Sequence, residues 1–295
     1  MSRFFLFPGQ GSQHPGMGKS LYENSPGARA IFDETAKLNA PSFLSTLFEG
    51  SAEDLTDTRT AQPALLAASV ATVAALRERG IEPDGCAGHS LGEFAALVTA
   101  GCIPFTTAFG LVQTRARLMA ERAPKGAMAA VLGLDAEAIQ AALPEGVTIA
   151  NFNGPSQTII AGTVEGIEAA TEPLKAAGAK RVLPIPVSGP FHSPLMLDAA
   201  DAFAAALEAI NMAPPSIPFI SSVSGQPEAD PGRIRHLLSE QIAKPVRWTE
   251  VMAVVGEVDA LEVGPGAVLQ GLAKRTPGGP TVAPAGTWDA ICALS

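Results

Sequence analysis

Cysteines and long apolar runs are scarce in this chain. Its 295 residues include three cysteines, Cys86, Cys102 and Cys292, which lie far apart. An odd and scattered set is not a disulfide framework, so we expect reduced, buried thiols. No apolar run approaches the roughly 18 residues that a membrane span needs, and the run at residues 4–7 is too short for a signal peptide. These features predict a soluble, cytoplasmic protein.

Basic charge and aromatic side chains are also in short supply. The sequence has 20 Lys and Arg against 29 Asp and Glu, which gives a formal net charge of −9. That balance argues against a surface for nucleic acids or anionic membranes. Aromatic residues make up 5% of the chain and hydrophobic residues 47%, which indicates a globular protein with a core of small, closely packed helices. The His, Cys and Asp residues have no metal-ligand spacing, so we expect no metal.

A Gly-x-Ser-x-Gly motif is the clearest feature that the sequence does contain. Gly88-His89-Ser90-Leu91-Gly92 lies between a short apolar segment and an amphipathic helix. That context predicts a nucleophile elbow, a sharp strand-to-helix turn that exposes the serine hydroxyl. The two glycines lack the Cβ atoms that would clash in such a turn. The N–H of Leu91 and the helix dipole could then stabilise an oxyanion. The motif by itself is weak, and chance is the alternative.

The first third of the chain predicts a sheet with helices packed on it. Residues 3–7 are typical of a buried parallel strand, and a Gly-rich loop follows directly at residues 8–13. Such a loop lies at the edge of the sheet where α/β proteins place their sites, although its spacing alone favours an ordinary strand-to-helix turn. We predict a helix near 17–23, then a loop-rich stretch to about 58. Gln62-Pro63 should open a long Ala-rich helix.

The middle of the chain has a different pattern. Residues 126–187 read as strand, helix, strand, strand, helix and strand, which is the ferredoxin-like order. We therefore predict an α/β protein with a parallel sheet, in which residues 1–125 and 188–295 form a large domain. Residues 126–187 would be a small inserted domain and could form one wall of a cleft over the serine.

Arg115 occupies an unexpected position in a helix predicted near residues 106–122. On a helical wheel it falls in the middle of the apolar half. A buried guanidinium must be paired, because burying it alone costs many kcal/mol. Its partner could be an internal Asp or Glu, which is the commoner case, or a substrate carboxylate held by two hydrogen bonds.

The four histidines differ in how well they could act as a base for Ser90. His236 lies in a helix with Arg233 and Arg235, and His14 has no supporting partner in the sequence. His89 adjoins the serine, but neighbouring residues at a sharp turn point apart, which favours a structural role. His192 lies in a loop just ahead of a predicted helix, whose dipole would keep its ring neutral and able to accept a proton. We therefore favour His192 as the base.

Further short motifs follow one another along nearly the whole chain. They are Phe7-Pro8-Gly9-Gln10-Gly11-Ser12-Gln13, the elbow with Glu93, Arg115 and its helix, Asn151-Phe152-Asn153, Ser188-Gly189-Pro190-Phe191-His192, Pro245-Val246-Arg247-Trp248 and Val263-Gly264-Pro265-Gly266. Together they resemble the malonyl-CoA:acyl-carrier-protein transacylases of fatty-acid synthesis and the related acyltransferase domains of polyketide synthases. Each motif alone is weak, but the set in this order is specific.

The resemblance implies a fold and a catalytic apparatus. The fold would be an α/β-hydrolase-like core with a ferredoxin-like insertion. Ser90 would be the nucleophile and carry the malonyl group as an ester, with His192 as general base and then acid. A main-chain carbonyl orients the histidine in this family, and the matching residue is Gln241. The backbone N–H groups of Gln10 and Leu91 would form the oxyanion hole.

The resemblance also implies the substrates. Malonyl-CoA would donate the acyl group and acyl carrier protein would receive it on a phosphopantetheine thiol, in a ping-pong reaction without another cofactor. Arg115 would bind the malonyl carboxylate. Phe191 is similar to the residue of malonyl-selective polyketide acyltransferases and could crowd a methyl-branched substrate. Oligomeric state is not readable from the sequence, and we expect a monomer.

Other functions remain open at this level. A serine esterase is one, but the chain lacks an HGGG-type oxyanion loop, and Asp198 follows His192 instead of preceding it. A non-catalytic carrier-docking subunit is another. Within the family, the chain could be a trans-acting polyketide acyltransferase or could load malonate decarboxylase.

An acidic carrier protein would need a local basic patch on this acidic chain. The candidates are Lys180-Arg181, Arg117 and Lys274-Arg275. Scattered surface charge explains them equally well.

Overall fold

The computed structural model describes residues 3–187 and 189–294. Ser188, which opens one of the motifs above and the second part of the predicted large domain, lies outside them. The strands are β1 Arg3–Phe7, β2 Gly85–Gly88, β3 Ala127–Leu132, β4 Thr148–Gly154, β5 Gln157–Gly162, β6 Arg181–Ile185, β7 Phe219–Ile220, β8 Pro227–Glu228, β9 Asp259–Glu262 and β10 Thr281–Pro284. The helices are α1 Lys19–Asn24, α2 Pro26–Leu38, α3 Phe43–Glu49, α4 Thr58–Glu78, α5 Gly92–Thr99, α6 Phe105–Glu121, α7 Ala136–Ala142, α8 Val164–Ala176, α9 Leu197–Glu208, α10 Pro231–Glu240, α11 Trp248–Val255, α12 Val268–Ala273 and α13 Trp288–Cys292.

The larger sheet is almost entirely parallel. Its strand order is β10-β9-β1-β2-β7-β8, and only the short pair β7 and β8 is antiparallel. The predicted strand at residues 3–7 is confirmed at the centre of this sheet. Phe5 and Phe7 pack into one apolar cluster and Leu6 into another, because successive strand residues face opposite sides of a sheet. Both faces are therefore covered, as a parallel sheet requires.

The smaller sheet is antiparallel and has its own core. Its strand order is β4-β5-β3-β6, with α7 and α8 packed on it. A separate cluster of buried residues, among them Val131, Ile149 and Ile160, fills the space between this sheet and its helices. The mixed α/β class with a parallel-rich sheet is thus confirmed, and a second, antiparallel sheet accompanies it.

The loop-rich stretch predicted before residue 58 is wrong, because it contains α2 and α3. Ser25 caps α2 by accepting a hydrogen bond from the N–H of Ala28 at 3.0 Å, and Pro26 is its first residue. This serine–proline pair is a standard helix start.

The predicted start of the long helix at Gln62-Pro63 is also wrong. The helix α4 begins at Thr58, because the side chain of Asp57 caps it by accepting from the N–H of Arg59. Pro63 therefore lies inside the helix. Because Pro63 has no N–H, the carbonyl group of Arg59 lacks its usual hydrogen bond within the helix. Arg59 is an exposed residue, so water can take the place of that donor.

The cysteines are all free, but they are not all buried. Cys86 and Cys102 are buried as predicted, whereas Cys292 is exposed at the end of α13, which corrects the expectation for that residue. Among residues 3–187 and 189–294, no helix combines the length and the apolar character that crossing a membrane demands.

Candidate active site

The elbow has the geometry that its sequence predicts. Strand β2 ends at Gly88, helix α5 begins at Gly92, and Ser90 between them has a φ of 51°. A Cβ atom on Gly92 would overlap the carbonyl oxygen of Phe7, and one on Gly88 would overlap the first turn of α5. Glycine is therefore required at both positions, since any side chain would push the turn away from β1.

His192 faces the serine from the other side of the site. The hydroxyl of Ser90 lies 2.7 Å from Nε2 of His192. Among the described residues other than glycine, only these two have a positive φ, which is 59° for His192. Backbone strain of this kind concentrates where function fixes a side chain, so both outliers support a shared role.

Two carbonyl groups hold the far side of the histidine ring. Nδ1 lies 2.8 Å from the carbonyl oxygen of Gln241 and 3.2 Å from that of Lys244. Carbonyl oxygens only accept hydrogen bonds, so Nδ1 carries the proton and Nε2 presents its lone pair to the hydroxyl of Ser90. Lys244 was not identified from the sequence, because its contribution is a backbone atom.

The histidine is neutral at physiological pH. Burial and, to a smaller extent, the nearby positive charge of Arg115 lower the pKa of His192 to about 3. The position of His192 in the sequence predicts that a helix dipole keeps its ring neutral. Only a three-residue 3₁₀ helix, Pro194–Met196, follows His192 directly, so burial and Arg115 are the better explanation.

Arg115 lies beside the serine and is 1% exposed. One terminal nitrogen donates to Oε1 of Gln62 at 2.7 Å, and the other donates to Ser90 Oγ at 3.2 Å and to Gln241 Oε1 at 3.0 Å. Burial lowers the pKa of Arg115 to about 10, so the side chain remains a cation at neutral pH. No carboxylate of the described residues lies within 4.0 Å of it. The first of the two explanations for its burial, a directly paired Asp or Glu, therefore does not hold.

Three polar side chains around Arg115 were not identified as site residues from the sequence. Gln62 accepts from Arg115, and Gln241 contributes its side chain as well as its carbonyl group. Glu93 is buried and accepts from Nε2 of Gln241. Gln62 interrupts an apolar, Ala-rich helix, and a polar residue in such a position is the signal that could have revealed it.

The two predicted oxyanion donors line the same cleft as Ser90. The backbone N–H groups of Gln10 and Leu91 have no hydrogen-bond acceptor among the residues that the structure describes. The cleft has a volume of about 160 Å³. Its walls come from the smaller sheet, from the loops after β1 and β2, and from α12, and they include Met128, Asn151, Asn153, Ile159, Ile185, Phe191, Val268, Leu269 and Leu272.

The remaining histidines and Asp198 have other roles. His89 lies 2.9 Å from Oδ1 of Asn153 and packs edge-on against Trp248, which supports the structural role predicted for it. His14 is exposed, and His236 lies on the exposed side of α10 beside Glu240. Asp198 forms an exposed ion pair with Arg122, so it does not orient His192. Within the described ranges, no three His, Cys, Asp or Glu side chains are grouped as metal ligands.

A strained serine, a buried neutral histidine, free backbone donors and a buried cation in one cleft define a candidate site for acyl transfer through a serine ester. Comparison with known proteins agrees with this class. The family model described as "Acyl transferase domain" matches residues 4–288. The chain therefore belongs to the acyl transferase domain family, among its malonyl CoA-acyl carrier protein transacylases.

Relatives of the chain are similar over nearly their whole length. The malonyl CoA-acyl carrier protein transacylase of Bacillus subtilis strain 168 is 46% identical over 92% of this chain and 89% of its own length. That of Escherichia coli K12 is 43% identical over 93% of each chain. A malonyl-transacylase solved in complex with a type II PKS acyl-carrier protein has a TM-score of 0.94 and 41% identity, covering 99% of this chain and 98% of that one.

Proposed function

We propose that this protein transfers a malonyl group from malonyl-CoA to the phosphopantetheine thiol of acyl carrier protein, the malonyl-loading reaction of fatty-acid synthesis. The relatives' names support the substrates. The observation that carries the proposal is a buried cation, Arg115, which contacts the Ser90 hydroxyl and has no carboxylate partner among the described residues. A substrate with a free carboxylate near its reacting carbon would supply that partner.

In the first half of the reaction, Ser90 attacks the thioester carbonyl of malonyl-CoA. His192 accepts the hydroxyl proton at Nε2 as the bond to carbon forms. The N–H groups of Gln10 and Leu91 donate to the oxyanion. His192 then gives this proton to the sulfur of coenzyme A, which leaves as its thiol.

In the second half, the carrier thiol attacks the malonyl ester of Ser90. His192 removes the thiol proton, and the same two N–H groups stabilise the second oxyanion. The proton returns to Ser90 Oγ when the ester breaks, so the enzyme is regenerated. The carbonyl groups of Gln241 and Lys244 stabilise the ring each time it becomes positively charged.

Substrate selection would depend on Arg115 and Phe191. An acyl group without a carboxylate leaves Arg115 unpaired in a buried site, which raises the barrier for acetyl transfer. Phe191 is 5% exposed and lines the cleft, where its ring could exclude a methyl branch on the acyl chain. We propose no cofactor beyond the two substrates.

The fold assignments in finer detail are also proposals. The strand order β4-β5-β3-β6 supports a ferredoxin-like small domain at residues 126–187, inserted in an α/β-hydrolase-like domain at 1–125 and 188–295. Cytoplasmic location and a monomeric state stay predictions.

The alternative functions are less well supported. A serine esterase normally orients its histidine with a carboxylate, whereas His192 is held by carbonyl groups. A non-catalytic docking subunit has no need for two strained residues that share a hydrogen bond. The comparisons do not favour a trans-acting polyketide enzyme or a subunit that loads malonate decarboxylase.

Intact-protein mass spectrometry tests the proposal directly. After mixing with malonyl-CoA, the protein should gain the mass of one malonyl group, and peptide mapping should locate it on Ser90. Ser90→Ala should gain none. Adding phosphopantetheinylated carrier protein should remove the adduct and transfer it to the carrier. An unmodified wild-type protein, or release of the adduct as free malonate only, contradicts transfer.

A further inference from the structure

Glu93 is a buried acidic residue with no assigned role in the reaction described above. It lies in the first turn of α5, three residues after Ser90, and is 1% exposed. Burial raises its pKa, and hydrogen bonds from the Ser221, Ser222 and Gln241 side chains oppose that rise. A buried carboxyl group beside a catalytic serine needs a reason to be there.

All of the contacts seen for its carboxylate involve hydrogen-bond donors. Oε1 accepts from the N–H of Ser222 at 3.3 Å, and Oε2 accepts from the Ser222 hydroxyl at 2.9 Å. Nε2 of Gln241 also donates to Oε2. Donors stabilise the charged form of a carboxylate, which only accepts, and the cation of Arg115 acts in the same direction.

The orientation of the Gln241 amide follows from its other two neighbours. A guanidinium only donates, so Oε1 of Gln241 must face Arg115, at 3.0 Å. The carbonyl oxygen of Ser90 only accepts, so Nε2 must face it, at 3.1 Å. The second hydrogen of Nε2 then points to Glu93, and an ionised carboxylate accepts it.

We infer that Glu93 is a positioning residue for substrate selection. Its carboxylate fixes the Gln241 side-chain amide with the oxygen towards Arg115, and that oxygen holds the guanidinium where a substrate carboxylate can meet it. Glu93 also supplies the negative charge that balances Arg115 before substrate binds, at a distance that leaves the guanidinium free to pair. This role rests on the proposed malonyl transfer and adds a residue that determines its selectivity.

The substitution Glu93→Gln separates this role from simple packing. The side-chain amide of a glutamine at position 93 has one acceptor oxygen where the carboxylate has two. If its NH₂ group faces Nε2 of Gln241, donor meets donor. If its oxygen faces Nε2, its NH₂ group meets the N–H of Ser222 instead. Rotating the Gln241 amide by half a turn removes the first of these donor–donor contacts but turns its NH₂ group towards Arg115. Gln241 then loses its hydrogen bond with Arg115. The backbone carbonyl of Gln241 is held separately by the end of α10, so the support of His192 should persist.

The experiment measures single-turnover transfer from malonyl-CoA and acetyl-CoA to Ser90. In E93Q, malonyl transfer should fall about tenfold to a hundredfold, the effect of losing a hydrogen bond to a charged group. Acetyl transfer should fall less, so the malonyl-to-acetyl ratio drops. The rate of Ser90 labelling by a neutral fluorophosphonate should fall less than malonyl transfer, since the hydrogen bond between Ser90 and His192 does not involve Glu93.

Glu262→Gln is the matched control. Glu262 is a second buried glutamate, whose carboxylate accepts from the N–H groups of Leu269 at 3.0 Å and Gln270 at 2.8 Å. Its substitution removes a buried carboxylate that forms no hydrogen bond with Ser90, Arg115 or Gln241. It should lower the melting temperature without changing the malonyl-to-acetyl ratio.

A folded E93Q protein with the wild-type ratio overturns the inference. If E93Q does not fold, Ser222→Ala decides the question, because it removes one donor to Glu93 and should lower the ratio in the same direction by a smaller factor. An unchanged ratio in a folded S222A protein then overturns it. A wild-type protein that takes up no malonyl group contradicts the proposed function itself, which separates the two failures.

Discussion

Arg115 holds a hydrogen bond to the very hydroxyl that is proposed to attack the substrate. The guanidinium is thus close enough to Ser90 to reach the far end of a three-carbon acyl group on that oxygen. A cation placed this way separates malonyl from acetyl by charge, since the two differ in the carboxylate. The selectivity of the enzyme should therefore depend strongly on this one side chain.

Arg115→Ala tests that dependence. Malonyl transfer should fall roughly a hundredfold or more, as expected when one partner of a buried charge pair is removed, while acetyl transfer should change much less. Steady-state rates with both donors provide the measurement. Arg117→Ala is the matched control, because Arg117 lies on the same helix but is exposed and paired with Glu121 at 2.9 Å. Equal losses for malonyl and acetyl would remove the carboxylate role from Arg115.

The lowered pKa of His192 makes a prediction about pH. The neutral ring is the active form, so activity is lost as pH falls through the pKa of the folded protein, which is about 3. An imidazole with an ordinary pKa of about 6.5 would be roughly 3% neutral at pH 5. Acetyl transfer to Ser90, whose donor has no titrating carboxylate, should therefore stay nearly constant from pH 7 to pH 5. A fall of about 25-fold over that range, with a midpoint near 6.5, would contradict the burial argument.

At the scale of single residues, the sequence could predict what a motif or a helical wheel exposes. Ser90 and His192 were identified from the sequence and lie 2.7 Å apart. Arg115 was identified because its charge conflicts with the apolar face of its own helix. Gln62, Glu93 and the Gln241 side chain were missed, because they come from separate helices or loops and their meeting depends on tertiary packing. The sequence around a residue does not show which distant residues it will contact in the folded protein.

The turn at the elbow depends on glycines, which have no Cβ atom, at positions 88 and 92. Gly92→Ala should destabilise the protein by about 1–3 kcal/mol, the usual cost of overpacking, because the new Cβ would overlap the carbonyl oxygen of Phe7. It should also slow malonyl transfer, since the turn that holds Ser90 must shift. Urea unfolding and single-turnover rates measure the two effects.

Gly110→Ala is the matched control for that substitution. Gly110 lies inside α6 with open space where its Cβ would be. Alanine there should stabilise the protein by about 0.5–1 kcal/mol, through its higher helix propensity, and leave transfer unchanged. If both glycine variants lose the same stability, crowding at the elbow is not the cause.

Elements were predicted best where the local signals agreed with the tertiary structure. The strands and helices of the smaller sheet appear in the predicted order because their periodicity and turns are local. The helices α2 and α3 lie in the stretch predicted as loop-rich, where the start of α2 at Ser25 and Pro26 is a local signal that the prediction did not use. The start of α4 was predicted too late in the chain, at Gln62-Pro63. The helix begins at Thr58 because Asp57 caps it, and Pro63 is tolerated inside because the carbonyl group left without a partner belongs to the exposed residue Arg59.

At the scale of the whole molecule, the loops after β1 and β2, the smaller sheet and α12 line one cleft. Met128 and Ile185 reach it from the smaller sheet, and Leu272 reaches it from α12. A carrier protein would have to dock where its long thiol arm can enter this cleft. Because the chain carries a net charge of −9 and carriers are usually acidic, a local group of unpaired cations near the opening would favour encounter.

Lys274 and Arg275 are better placed for this encounter than the other basic candidates. They are exposed, and they directly follow α12, whose residue Leu272 lines the cleft. Arg117 is already paired with Glu121. Arg181 begins β6, four residues before the cleft residue Ile185, which places it about 13 Å further along the strand.

Reversing both charges, Lys274→Glu with Arg275→Glu, should therefore raise the apparent KM for carrier protein about tenfold at low salt. The KM for malonyl-CoA and the single-turnover loading of Ser90 should change little, because neither cation lines the cleft. The same reversal at Lys180 and Arg181 changes the net charge equally and is the matched control. A larger effect at Lys274 and Arg275, which shrinks as salt is added, indicates local docking at the end of α12. Equal effects at the two pairs would instead show that the carrier responds to the overall charge of the protein.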